Sequence, residues 1–496
     1  MTWGALAALI LVLLLAVLDQ TIVAIALPTI VGEFNELAHL SWVVTAYLLT
    51  STVVAPLCGK FGDVYGRKAV LRVAIIAFSV GSVLCALSQT MMELILSRGL
   101  QGLGGGGLIV TATAAVGDLV QPRERGRYQG IFGAVFGAAT IVGPPLGGFL
   151  VDHLSWRWIF YVNLPTSAVA WAFVGAVLRS PAARQRHTID YLGVALLSFA
   201  LTAIILFTCL GGSAFPWLSL TAFGLVAPGM AAMIAFVVME GRAQDPILPL
   251  GLFRNRTFAV ACAASLVVNV ALLGAVTYLP ICLQVVKGQT PSASGLQLLP
   301  MMLCMILTSV ISGRMISRWG RLRPFPIAGT TVMTIGLAML SRLSAESSIW
   351  WMSGCAAIVG LGLGMVTQVL VLAAQNSVNF ANLGVATSGT ALFRSLGGAL
   401  GVTLCGAIFA CELHAYSTTA MPRDASALST TAWSGLDILD PGARAAYIEG
   451  VVVALRPVFI VAASATAVAC ALTCLLPDPF RGTGSSNGPE QASQAH

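Results

Sequence analysis

Residues 59–71 read GKFGDVYGRKAVL. Gly59 and Gly66 permit a close helix approach and a sharp turn, Asp63 either caps the helix that follows or pairs with Arg67, and Lys68 adds basic charge between two apolar runs. The pattern returns 254 residues later as GRMISRWGRLR over Gly313–Arg323. Other pairs share nearly the same shift: Ala26-Leu27-Pro28 with Tyr278-Leu279-Pro280 (252 residues), and Gly102-Leu103-Gly104 with Gly360-Leu361-Gly362 (258 residues). The chain is therefore read as two related halves with the same order of elements.

What fills the halves follows from composition. The 496 residues are 57% hydrophobic and 9% charged, with a mean hydropathy of +0.89. A soluble domain carries about a quarter charged residues, so an ordinary cytosolic enzyme is excluded. Apolar stretches long enough to span a bilayer lie near 4–28, 41–58, 70–88, 93–117, 129–151, 159–178, 190–211 and 219–240. Six more lie near 257–279, 292–313, 324–343, 350–373, 384–410 and 456–476. The repeat maps spans 1–6 onto 9–14 and leaves spans 7 and 8 as an insert. Alternating barrel strands are absent from the pattern.

Basic residues set the orientation. Eighteen Lys and Arg fall in the loops around 59–72, 121–128, 179–189, 241–256 and 314–323 and in the C-terminal tail; the opposite loops hold six. That bias predicts both termini in the cytoplasm, and the net charge of +7 then reflects membrane orientation rather than nucleic-acid binding. The expected organisation is a first six-helix bundle over 1–178, a two-helix insert with flanking cytoplasmic loops over 179–256, a second bundle over 257–476, and a disordered tail over 477–496. One outer loop, 411–455, is too long for a tight turn and is expected to form a hairpin or short helices. No basic region precedes the first apolar run, so no cleaved signal peptide is expected. Scattered His and Cys predict neither a metal site nor disulfides, and no organic cofactor is expected.

Two charges lie deep in the first half. Asp19 sits some eight residues from the outer end of span 1, roughly 12 Å down, and Arg98 roughly 8 Å below the same surface on span 4. A carboxylate there is costly and needs a partner or a cavity. Either the pair pins two helices permanently, or Asp19 gains and loses a proton as its surroundings change. Asp19 maps onto Ala271 and Arg98 onto about Ala356, so the second half lacks both charges; a single proton site explains that better than an architectural pair. Gln20, Tyr47, Gln101, Asn163, Asn269 and Gln368 either line a central cavity or each make an interhelical hydrogen bond, and Arg394, midway along span 13, is read as cavity-lining or carbonyl-bonded. Span 5 reads GAVFGAATIVGPPLGG, with Gly133, Gly137, Gly143, Gly147 and Gly148 around Pro144-Pro145. Such glycines let helices pack backbone to backbone, and prolines free carbonyls.

These motifs resemble those of the major facilitator superfamily. The loop 59–71 resembles its signature between spans 2 and 3, Arg98-Gly99-Leu100-Gln101-Gly102 its span-4 motif, and Gly143-Pro144-Pro145-Leu146-Gly147-Gly148 its span-5 antiporter motif. Leu18-Asp19-Gln20-Thr21 through Pro28, and Trp156-Arg157-Trp158-Ile159-Phe160 through Pro165, look like the 14-span drug:proton antiporters that perform multidrug efflux. The resemblance implies an all-α polytopic membrane protein of major facilitator fold, with fourteen transmembrane helices, in a bacterial cell (inner) membrane. It implies alternating access powered by the proton gradient, Asp19 as the proton site with Arg98 as partner, and Gly59, Asp63, Gly66, Arg67 and Lys68 as a cytoplasmic gate. Ala24 departs from the Asn usual in span 1, and Ser317 from the acid usual in the second loop copy.

One carboxylate implies one proton per cycle. About 100 mV and one pH unit supply roughly 2.3 and 1.4 kcal/mol, all of it usable on a neutral substrate and only the pH part on a monovalent cation. The expected partners are therefore protons, the lipid bilayer and lipophilic neutral or monocationic compounds, and not nucleic acid. A dedicated exporter of one native metabolite, lipid or self-made antibiotic is the main alternative, with a periplasmic or cell-wall partner docked on 411–455. A proton-coupled importer or uniporter fits the span-5 motif less well, and a membrane-embedded enzyme would need clustered His, Asp or Ser that no span contains.

Overall fold

The computed structural model describes residues 3–34, 40–178, 190–211, 215, 219–243, 246–289, 291–420 and 441–477. The tail beyond 477 and the loop 179–189 lie outside them. The first six long helices are α1 (Trp3–Phe34), α2 (Leu40–Tyr65), α3 (Arg67–Leu87), α4 (Met91–Leu119), α5 (Arg125–His153) and α6 (Trp158–Val177). Then come α7 (Tyr191–Leu210) and α8 (Leu220–Glu240). The last six are α9 (Arg256–Val285), α10 (Leu299–Trp319), α11 (Pro324–Leu340), α12 (Ile349–Asn376), α13 (Leu383–Ala420) and α14 (Pro441–Cys474). Thirteen are long and apolar enough to cross a membrane, and the shorter α11 has 17 residues, roughly 25 Å of rise. Large apolar side chains such as Val73, Ile76, Leu220, Phe223 and Leu303 face outward, as a bilayer solvent requires.

Packing repeats as the sequence does. In the first bundle α1 lies on α5 and α6, α3 on α4 and α6, and α2 on α4; in the second, α9 lies on α13 and α14, α11 on α12 and α14, and α10 on α12. Two seams join the bundles, α2 against α13 and α5 against α10. These pairs exchange under the repeat. The insert helices α7 and α8 pack on each other, and α7 also on α2 and α13.

Helices turn where the sequence permits it. Gly66 joins α2 to α3 with φ of 89°, a conformation open to glycine and strained for other residues. Thr90 caps α4, accepting the N–H of Glu93 at 3.2 Å, and Asn255 caps α9, accepting from Thr257 at 2.9 Å.

Several helices outrun the apolar stretches that announce them. α1 continues past 28 to Phe34, α13 past 410 to Ala420, and α14 begins at Pro441 rather than near 456. Hydropathy registers the stretch a bilayer would cover, whereas backbone hydrogen bonding continues through polar residues beyond it. Much of 411–455 is thus helix at both ends, and 421–440 lies outside the described residues.

Candidate functional site

Asp19 is 1% exposed inside the first bundle, where α1, α3, α4 and α6 meet. Its Oδ2 accepts from Arg98 Nη1 at 2.7 Å, and its Oδ1 from Gln101 Nε2 and Asn163 Nδ2, both at 2.8 Å. Position makes the cluster: Arg98 and Gln101 are one helical turn apart on α4, and so share a face. Gln101 Oε1 accepts a second bond from Arg98 Nη1 at 2.6 Å, and its Nε2 also reaches Ser82 Oγ at 2.8 Å. Behind the guanidinium lies the Tyr47 ring, 4.3 Å away, a cation–π contact. Gln101 and Asn163 join the Asp19 cluster within one bundle rather than a cavity between bundles, and Gln20 lies beside it, partly buried. In the second bundle the mapped positions Ala271 and Ala356 are 0% and 1% exposed, so methyl groups occupy the places of the two charges.

At the end of the molecule marked by Gly66, Arg67 gathers two acids. It pairs with Asp63 one turn earlier and donates from Nε to Asp118 Oδ2 at 2.8 Å. Asp63 does not cap the helix that follows it. It crosses the seam and accepts the N–H groups of Gly384 at 3.0 Å and Val385 at 3.1 Å, the first turn of α13, where unpaired donors and the helix dipole favour an anion. Gly59 makes that approach feasible: a Cβ there would meet Ser388 Oγ at 2.4 Å and Gly384 O at 2.7 Å. Lys68 reaches back to Gly175 O at 2.6 Å.

Ser317, the repeat's counterpart of Asp63, does the same for the other seam without charge. Its Oγ accepts the N–H of Arg127, in the first turn of α5, at 2.9 Å. Below it α5 and α10 meet backbone to backbone. A Cβ on Gly313 would lie 2.4 Å from Gly126 O, and one on Gly130 2.5 Å from Ser309 O. Further polar bonds close this end: Arg125 Nη1 to Asn376 Oδ1 at 3.0 Å, and Gln129 Nε2 to Gln375 Oε1 at 3.2 Å.

The glycines of α5 divide by partner. Gly133 and Gly137 face α10, where Cβ atoms would meet Ser309 Oγ at 2.0 Å and Ile306 at 2.4 Å. Gly143 and Gly147 face α1 beside Asp19, meeting Thr21 Oγ1 at 2.0 Å and Ile22 at 3.1 Å; Gly148 meets nothing within 4 Å. The helix runs unbroken through Pro144 and Pro145.

Between the bundles lies a small, narrow pocket walled by α4, α5, α12 and α13. Gln368 and Arg394 line it with Ile109, Val110, Phe136 and Val371. Asn269 does not join them; its Nδ2 bonds Ser265 O, on its own helix, at 3.0 Å. Sequence reading missed Ser82 and Asp118. Nothing in the pattern marks a serine on α3 as a ligand of the cluster, and Asp118 had only its place near the end of an apolar run to suggest a basic partner.

At the opposite end, Glu33 on α1 clasps the turn before α6. It accepts from Trp156 Nε1 at 2.5 Å and from Arg157 Nη1 at 2.8 Å. The Trp156 hydrogen bond, with the Arg157 charge beside it, holds this carboxyl below its ordinary range despite some burial.

Comparison with known proteins identifies the family. The family model of the Major Facilitator Superfamily matches residues 9–402. An MFS-type transporter of Mycobacterium tuberculosis is 41% identical over 470 residues, 95% of this chain and 68% of that protein. The multidrug transporter protein MdtP of Bacillus subtilis is 38% identical over 400 residues, 81% of this chain and 74% of that protein. Among solved structures, the human organic anion transporter MFSD10 superposes with a TM-score of 0.66 at 15% identity, covering 95% of this chain and 99% of its own. The proton:xylose symporter XylE superposes at 0.63 and 13% identity, with 96% of each chain covered; both likenesses speak to the fold. The chain belongs to the Major Facilitator Superfamily and is a multi-pass membrane transporter, not an enzyme.

Proposed function

We propose that the chain is a proton-coupled exporter of lipophilic compounds, neutral or singly charged, working by alternating access in a bacterial cell membrane. The Gly66 end faces the cytoplasm in this reading, because the loops on that side carry most of the basic residues. Both seams close there through hydrogen bonds and glycine contacts, which fits a conformer shut toward the cytoplasm. A relative named as a multidrug transporter supports export of varied small molecules.

The carrying observation is the Asp19 cluster. Its three donors suit an ionised carboxylate, and Arg98 has somewhere to turn when that charge is neutralised. Gln101 Oε1, Val43 O at 3.4 Å and the Tyr47 ring already contact the guanidinium. A proton reaching Asp19 would weaken its hold on Arg98 and Asn163 without leaving the cation bare. Two residues beyond Asp19 on α1, Thr21 donates its Oγ1 to Ala139 O of α5 at 3.4 Å, so a change in α1 bears on the helix that forms the α5–α10 seam.

The test is dye efflux by everted vesicles with an imposed pH gradient. The wild type should transport uphill and stop when the gradient collapses, while Asp19→Asn should lose gradient-driven efflux yet remain monodisperse. Undiminished uphill export by that variant would sink the reading.

A further inference from the structure

We propose that the pocket between the bundles is built for an organic anion, held by Arg394 and Gln368, so that the exporter's substrates include acidic lipophiles. The inference rests on the exporter reading and names a substrate class for its cavity.

Arg394 stands ten residues beyond Gly384, roughly 15 Å along α13 from the seam that Asp63 closes, near the middle of a bilayer. The other buried arginines have partners: Arg98 has Asp19, Arg67 has Asp63 and Asp118, and Arg125 donates to Val120 O and Asn376 Oδ1. Among the described residues Arg394 has neither ion pair nor hydrogen bond, and its nearest aromatic face is Phe136, with Cζ 5.9 Å from the ring centroid. An intramembrane charge without a partner marks a ligand pathway.

A second observation converges on the same space. Gln368 is 7% exposed, and its Oε1 is buried without a hydrogen-bond partner, yet the residue lines the pocket with Arg394. The amide can turn to present either its oxygen or its nitrogen, so a ligand carboxylate, or a hydroxyl beside one, finds a match. The threonine hydroxyls in the wall are turned onto carbonyls of their own helices: Thr113 to Ile109, Thr387 to Leu383 and Thr390 to Thr387. The remaining wall is apolar. An occupant that satisfies the site has a lipophilic body and one anionic head; a cation would meet a like charge. Export of a monoanion against one entering proton also moves two charges in the direction the membrane voltage favours, whereas export of a monocation moves none.

Equilibrium dialysis of the full chain in lipid nanodiscs tests this with coumarin-3-carboxylate, its neutral ethyl ester and ethidium as probes. The wild type should bind the carboxylate at least tenfold more tightly than the ester. Arg394→Gln should lose that preference while keeping ester affinity, and Arg394→Lys should retain most of it. A wild type that shows no preference for the carboxylate, or favours ethidium, overturns the inference whatever the variants do, as does a monodisperse Arg394→Gln that keeps the preference. Gradient-driven efflux is scored separately in vesicles. Ester efflux without carboxylate binding overturns only the anion site, and carboxylate binding without any gradient-driven efflux overturns only the exporter reading.

Discussion

Asp19 Oδ2 and Arg98 Nη1 meet at 2.7 Å across 79 residues of chain, and neither side chain reaches solvent. Removing one partner of such a pair leaves the other buried and uncompensated, at a cost of about 3–5 kcal/mol. The two removals are not equivalent here. Asp19→Asn leaves Arg98 with Gln101 and Tyr47, whereas Arg98→Met leaves a buried carboxylate with only the neutral amides of Gln101 and Asn163 and no cation. Thermal unfolding in detergent at neutral pH should show Arg98→Met as the less stable variant, with the larger loss of folded yield.

Asp63 carries its charge to the first turn of α13. Asp63→Asn keeps the shape and removes the anion, weakening the seam by about 1 kcal/mol, a roughly fivefold shift in how often it parts. A cysteine placed at Ser388, which is 1% exposed, should then react faster with a maleimide. An unchanged rate would mean that the seam is held by packing alone.

The span-5 motif contains its own control. Gly143→Ala places a methyl 2.0 Å from Thr21 Oγ1 and 2.7 Å from Thr21 Cβ, so α1 and α5 must move apart beside Asp19. Gly148→Ala has open space and gains helix propensity of about 1 kcal/mol. Transport should fall severalfold in the first and hold in the second.

The Glu33 clasp has a pH signature. Its carboxyl is held below the ordinary value by Trp156 and Arg157, so its contribution is complete above about pH 4.3 and fades as pH drops through the lowered value. Glu33 is partly exposed, which limits the effect to under about 1 kcal/mol. Wild type should melt slightly above Glu33→Gln at pH 7, and the gap should close under strongly acidic conditions. A gap that widens on acidification would reverse the assignment.

What the sequence disclosed divides along physical lines. Membrane spans were readable because each one alone must satisfy its backbone and present apolar side chains to lipid, which is how even the 17-residue α11 announces itself. Asp19 and Arg98 stood out because charges are scarce at that depth. The partners that no local rule ties together stayed hidden: Asp118 beside Arg67, Ser82 beside Gln101, and Asp63 on α13 rather than α3. Gln101 and Asn163 were recognised as buried polar residues, but which interior they serve is decided by helix rotation, which polarity alone does not encode. Ser317 looked like a loss in the second loop copy; with Arg127 in view it is a neutral version of the same cap.

That substitution makes the two seams respond to different agents. Parting α2 from α13 hands water a carboxylate and a ring of backbone donors, groups it solvates well, so ionic strength and lipid headgroup charge bear on that contact. Parting α5 from α10 uncovers mostly glycine backbone and the hydroxyls of Ser309 and Ser317, for which shape and lateral pressure matter more than salt. A protein so divided keeps one edge tuned by the ionic environment and the other by the membrane's mechanics.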